Sequence, residues 1–321
     1  MRTRSPKTIL STLAAVTALT LSACGGDEDP LADDSSGDSD TSGDKGSLVV
    51  GGQDFYELQI MSSMYQLLLE DAGYTVDTKL VSTRDVYLPE LQNGTIDIVP
   101  EYAGSITDAL QLEANGPNAE QVSSNDIGET MDALQPLLEE QGLTALEPAE
   151  ATDQNAFAVT QDFAEENDLE TLSDLGEMGQ PITLAAAEDC ASRPDCKVGL
   201  EKTYGLEIEK VLPTGFGTPQ TIKSVTEGES ELGLVATSDG SLEQQGLVIL
   251  EDDKGLQVAQ NLVPVVSQEV LDANPDIADT LNALSDELTT DDLADLNVQV
   301  AIERQKPEDV AQQYLEDNGL L

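Results

Sequence analysis

The sequence predicts an α/β protein built as two lobes with a cleft between them. Three observations carry this expectation. Short apolar segments alternate with amphipathic ones in a β-α-β-α-β order over residues 48–99, the pattern of a mainly parallel sheet covered by helices. The same alternation recurs between residues 156 and 266. The stretch from Leu48 to Leu321 is also long enough for two domains.

The elements follow in order. Leu48-Val49-Val50-Gly51 reads as a short buried strand. Residues 57–72 read as a helix, with Ile60, Met61, Met64, Tyr65, Leu68 and Leu69 on one apolar face and Gly73 as its stop. Residues 74–80 alternate as a strand, 86–92 are helical, Asn93-Gly94 turns the chain and 96–99 form the next strand. Residues 131–141 are helical. Strands are expected at 156–160, 182–185, 207–212, 232–235, 247–250 and 262–266, and closing helices at 277–288, 291–302 and 307–318. Pro307 suits a first helical turn. The lobes are expected at residues 48–153 with 256–321, and at 154–255, with hinge crossings near Asp153 and Gly255.

The start of the chain reads as an export signal over residues 1–23. Arg2, Arg4 and Lys7 precede a short apolar run over residues 8–23, too short to span a membrane comfortably. Leu21-Ser22-Ala23-Cys24 resembles a bacterial lipobox, in which the Cys becomes the acylated N-terminus. An ordinary signal peptide with a chance Cys is the alternative. Residues 24–47, rich in Gly, Ser and Asp, read as a disordered acidic tether. Within it, Asp38-Ser39-Asp40-Thr41-Ser42-Gly43 imitates the start of a calcium loop, but the twelfth position is Val49 where a bidentate Glu is needed. The expected location is therefore the outer face of the cell membrane, held by a lipid.

Composition narrows the function. The chain has 63 acidic and 14 basic residues, and removing the three bases of the leader leaves 11. A nucleic-acid partner, which needs clustered Lys and Arg, does not fit. The acids are spread along helices without ligand spacing, so they read as a solvated surface, not a metal store. No His is present, which removes Ser-His-Asp and Cys-His catalysis and most zinc sites. Gly215-Phe216-Gly217 lacks the third Gly of a dinucleotide fingerprint. A binding protein with no cofactor and no metal fits better than an enzyme. Cys190 and Cys196 enclose five residues and, in an exported chain, read most simply as a disulfide, with two free thiols as the alternative.

Three segments then resemble one family: Val50-Gly51-Gly52-Gln53-Asp54-Phe55-Tyr56-Glu57; Asn93-Gly94-Thr95-Ile96-Asp97-Ile98-Val99-Pro100-Glu101-Tyr102-Ala103-Gly104-Ser105; and Leu250-Glu251-Asp252-Asp253-Lys254-Gly255. Their order is similar to that of the substrate-binding proteins of ABC importers for glycine betaine, choline, carnitine and related quaternary amines. Ala191-Ser192-Arg193-Pro194-Asp195 and Thr237-Ser238-Asp239 support it. The resemblance implies a two-lobed periplasmic-binding-protein fold of type II that closes on its solute. It implies a monomeric receptor that hands a small solute to a membrane permease driven by an ATPase. A receptor serving a sensor or adhesion partner without transport is the second reading.

The resemblance also implies site residues. A trimethylammonium group is recognised by aromatic faces; a carboxylate needs Arg or Lys and hydroxyl or backbone donors. Tyr102 matches a cage Tyr, Ser105 keeps a hydroxyl where the family has Thr, and Phe157 matches a second cage position, though it also suits the core of an apolar strand. Asn155 sits where a backbone carbonyl faces the cation, and Arg193 matches a carboxylate-binding Arg. Gln53, Asp54, Thr237 and Gln260 complete the expected site. Tyr56 and Tyr87 are further cleft candidates, whereas Tyr65, Tyr74, Tyr204 and Tyr314 read as structural. Gln53 replaces a common Lys, and Ala236 and Gln260 stand where Tyr is common. These departures imply a changed ligand: a larger or less methylated amine, or an amide-bearing or zwitterionic solute.

Overall fold

The computed structural model describes residues 45–321. The expected signal segment, Cys24 and most of the expected tether lie outside the described residues. Residues 45–47 join the fold. Ser47 opens the first strand, and the Lys45 ammonium reaches Asp276 at 2.6 Å and lies over the Tyr74 ring.

The chain first builds one sheet. Its elements are β1 (Ser47–Gln53), α1 (Tyr56–Asp71), β2 (Thr75–Val81), α2 (Arg84–Gln92), β3 (Ile98–Tyr102), α3 (Ala103–Asn115), α4 (Ile127–Glu139) and β4 (Leu143–Ala145). It then crosses into a second sheet with β5 (Asn155–Thr160), α5 (Gln161–Asn167), α6 (Leu172–Glu177), β6 (Pro181–Ala186), α7 (Lys197–Gly199), β7 (Glu207–Pro213), α8 (Pro219–Thr226), β8 (Leu232–Ala236) and β9 (Leu247–Leu250). It returns through β10 (Leu262–Ser267) and closes with α9 (Gln268–Ala273), α10 (Asp276–Glu287), α11 (Thr290–Ala301) and α12 (Pro307–Asp317).

The two sheets share one plan. Their orders are β2-β1-β3-β10-β4 and β7-β6-β8-β5-β9. In the first, β1 is parallel to β2 and β3, while β10 is antiparallel to β3 and β4. In the second, β6 is parallel to β7 and β8, while β5 is antiparallel to β8 and β9. Four strands of each sheet therefore run one way, as the strand-helix alternation predicts, and one strand, β10 or β5, runs against them. The reason lies in the crossings: β5 and β10 are the first strands after the chain changes sheets, and each enters its new sheet against the local direction.

Each sheet is covered on both faces. The α1 side of the first sheet joins α10, α11 and α12 in a core containing Ile60, Met64, Leu281 and Leu315. The other face packs Tyr87, Ile106 and Leu134 from α2, α3 and α4. The second sheet is filled by Phe157, Leu184, Leu200 and Leu232 on one face and by Ala158, Ile222 and Val225 on the other. Burial of these side chains, at about 25 cal/mol per Å² of apolar area, is the main force that makes the helices cling to the sheets. Residues 95–97 close a turn instead of opening β3, because the Thr95 and Ile96 amides both bond back to Glu90.

Candidate functional site

The chain passes between the sheets twice, through residues 146–154 and 251–261. The two passages are tied to each other. Thr152 bridges to Asn261, the Asp153 amide donates to the Gln260 carbonyl at 3.2 Å, and the Gln154 side-chain amide donates to the Val258 carbonyl at 2.7 Å. A cavity of about 650 Å³ opens beside these passages.

The first sheet supplies one wall. Tyr102 ends β3 and Ser105 lies in the first turn of α3. The Ser105 amide, unpaired within its own helix, donates to Gln260 Oε1 at 3.0 Å. Gly104 lets this turn approach the second passage, and its amide reaches the Ala259 carbonyl at 2.9 Å. Gln53 and Arg84 lie on the same wall. Arg84 is engaged elsewhere: Nε and Nη2 each sit 2.7 Å from the two oxygens of Glu101, which is fully buried, and the Tyr87 hydroxyl donates to the same carboxylate.

The second sheet supplies the opposite wall through Asn155, Pro194, Asp195 and Phe216. Pro194 and Asp195 ride on the short loop between Cys190 and Cys196, which the structure pairs with Cα atoms 5.2 Å apart. Asp195 accepts from Arg193 Nε at 2.9 Å, from its Nη2, and from Asn155 Nδ2 at 3.0 Å. Burial pushes the Asp195 carboxyl upward, but the bonds and charge of Arg193 outweigh it and hold it below the usual range.

Beneath Tyr102 lies a buried polar group of side chains. The Tyr102 hydroxyl donates to Glu57, and Asn297 Nδ2 on α11 donates to the other Glu57 oxygen at 2.6 Å. The Ser238 hydroxyl donates to Asp153 Oδ1 at 3.0 Å. Burial, with the Asp153 charge adding, raises the Glu57 carboxyl from 4.5 to about 7 against the pull of these hydrogen bonds. Burial raises Asp153 as well, opposed by Ser238. The Tyr102 hydroxyl is pushed well up by burial and then by Glu57.

Of the residues the sequence points to, Gln53, Tyr102, Ser105, Asn155 and Gln260 come together around the cavity. The other four stand apart from its lining. Phe157 is two residues beyond Asn155 and 1% exposed, already inside the core of the second sheet. Arg193 is clasped by Asp195, which faces the cavity in its place. Asp54 is exposed and takes a bond from Gln59. Thr237 ties the end of β8 to the first passage, accepting from the Gln154 amide and donating to the Thr152 carbonyl. Tyr56 is exposed, and Tyr87 is buried with its hydroxyl on Glu101.

Sequence reasoning passed over Arg84, Asp153, Asp195 and Phe216 on the lining, and Glu57 behind it. A signal existed for two of them. Glu57 shares the apolar stripe of Ile60, Met61 and Met64 at i+3, i+4 and i+7, an odd place for a free acid. Phe216 is a large apolar residue between two glycines with φ of +105° and +57°, which predicts a turn tip, not a core.

Two α/β lobes joined by paired passages beside a polar cavity define a solute-binding receptor. Residues 46–317 match the substrate binding domain of ABC-type glycine betaine transport systems, and the chain belongs to that family. It is 30% identical over 291 residues to the glycine-betaine-binding protein of Pseudomonas aeruginosa, covering 85% of this chain and 88% of that one. It is also 30% identical to the glycine betaine-binding protein YehZ of Escherichia coli, over 84% of this chain and 90% of that protein. The structure of apo YehZ superposes with a TM-score of 0.73 at 26% identity, covering 85% of this chain and 99% of that chain.

Proposed function

We propose that this protein is the extracytoplasmic receptor of an ABC importer, anchored to the cell membrane by a lipid on Cys24 and acting as a monomer. It captures one small ammonium-type solute between its lobes, residues 48–153 with 256–321 and residues 154–255, and delivers it to a permease driven by an ATPase. One observation carries the reading: Gln53, Tyr102, Ser105, Asn155 and Gln260, drawn from both sheets and the passage between them, converge on one cavity. Family membership supports the transport role. A ring face, side-chain amides, a hydroxyl and several carboxylates surround the cavity, groups suited to holding a small polar solute. Cys190 and Cys196 are a disulfide that steadies the loop carrying Asp195.

Calorimetric titration with glycine betaine, choline and putrescine tests the reading. At least one of them should bind with one molecule per chain. Tyr102→Ala should weaken that binding about tenfold through loss of a ring face. Binding that is unchanged in a folded Tyr102→Ala variant would place the solute elsewhere.

A further inference from the structure

We propose that the cavity selects a protonated amine that carries N–H donors and no carboxylate, an inference that rests on the receptor reading above. The charges on the lining decide the sign. Among the described residues, Asp108, Glu120, Asp153 and Asp195 line the cavity with one guanidinium, that of Arg84; Asp195 is paired with Arg193, while Glu120 and Asp153 are in no ion pair. Arg84 is held by two parallel bonds to Glu101, so its charge and its donor fork are already used. Arg193 is held the same way by Asp195, and of that pair it is the carboxylate that lines the cavity. Gln53 is neutral, and among the described residues no lysine lines the cavity. A solute carboxylate entering here would lose water and meet carboxylates with no free cation to receive it. A cation meets the opposite situation, in a cleft whose walls focus a negative field.

The hydrogen-bonding groups decide the second half. The rings on the lining are Tyr102, which is 7% exposed and has its hydroxyl committed to Glu57, and Phe216, which is 45% exposed. Two rings make a thin cage for a fully methylated nitrogen, which can use only π faces and charge. Around them stand oxygen acceptors: the Asp153 carboxylate, the Ser105 hydroxyl and the amide of Gln53. An ammonium with N–H donors uses these acceptors and charge together, and charge-assisted bonds are the stronger kind.

The test is a titration of the purified full chain at neutral pH and low salt with putrescine, choline and glycine betaine. Putrescine should bind tightest, with choline next and glycine betaine weaker than putrescine by about tenfold or more. Asp153→Asn should weaken putrescine about tenfold. Asp195→Asn releases Arg193 beside the cavity and should strengthen glycine betaine while weakening putrescine. Choline or glycine betaine as the tightest ligand overturns this proposal and leaves the receptor reading standing. Unchanged putrescine affinity in both folded variants overturns the charge argument. Binding of none of the three overturns the proposal together with the reading it rests on.

Discussion

Glu57 shows at the residue scale how burial sets charge. The carboxyl is 4% exposed, is held by Tyr102 and Asn297, and is raised from 4.5 to about 7 by burial and by Asp153. The folded state therefore binds more protons than the unfolded chain between those values, so stability falls as pH rises through that window. The contribution is fully present below about pH 4.5 and lost above about 7, on the order of 3 kcal/mol at 1.36 kcal/mol per pH unit. Glu57→Gln removes the titrating group and keeps its shape. Denaturant unfolding between pH 4.5 and 8 should show a flatter profile for this variant, and an unaltered slope would show that Glu57 is not the group responsible. The same residue marks a limit of sequence reading. Tyr102, Ser105 and Asn155 lie at a strand end, on a first helical turn and at a strand start, and their meeting at one cavity is legible from those positions. Phe157, two residues further along the same face of β5, is 1% exposed and lies in the core of the second sheet. Arg193 was legible as a scarce cation but not as one already neutralised by the residue two positions on.

At the scale of elements, α3 meets the second passage in a tight junction. A Cβ on Gly104 would lie 2.7 Å from the Ala259 carbonyl oxygen and 3.1 Å from a Val258 methyl. The obstacle is backbone, which cannot rotate aside. Gly104→Ala should therefore destabilise the protein by about 1–3 kcal/mol, the usual cost of overpacking. It should also weaken solute binding, since it separates the Ser105 amide from Gln260. Urea unfolding together with titration checks both effects, and a variant with unaltered stability would mean that the passage yields freely. Most elements here were legible from periodicity, including α1 and the three closing helices. The helix α3 was not proposed, although Ala103, Ile106 and Leu110 sit at i, i+3 and i+7 on its buried face. The run Tyr102-Ala103-Gly104-Ser105 reads as a ligand loop, and the helix begins inside it. Strand direction was beyond reach, because nothing local in residues 155–160 or 262–267 says from which end the chain will enter a sheet.

For the whole molecule, the paired passages argue for one particular motion. Two passages that bond to each other through Asp153, Gln154, Val258 and Gln260 bend together more easily than they shear, since bending preserves those bonds and shearing breaks them. Charge works on the same motion from both sides of the cavity. Asp153 stands at the passage and Asp195 on the second sheet, so in the absence of a cation closure would bring carboxylates together in a less aqueous space. On the receptor reading proposed above, a bound ammonium would remove that repulsion and bond both walls, and so favour the closed form. X-ray scattering of the chain should therefore show a smaller radius of gyration with the tightest of the three solutes at saturation. The compaction should be lost in Asp153→Asn at the same solute concentration, since that variant gives up much of the grip that holds the lobes together. An unchanged radius in the wild-type chain, with binding confirmed by calorimetry in the same sample, would mean that the solute enters without moving the lobes.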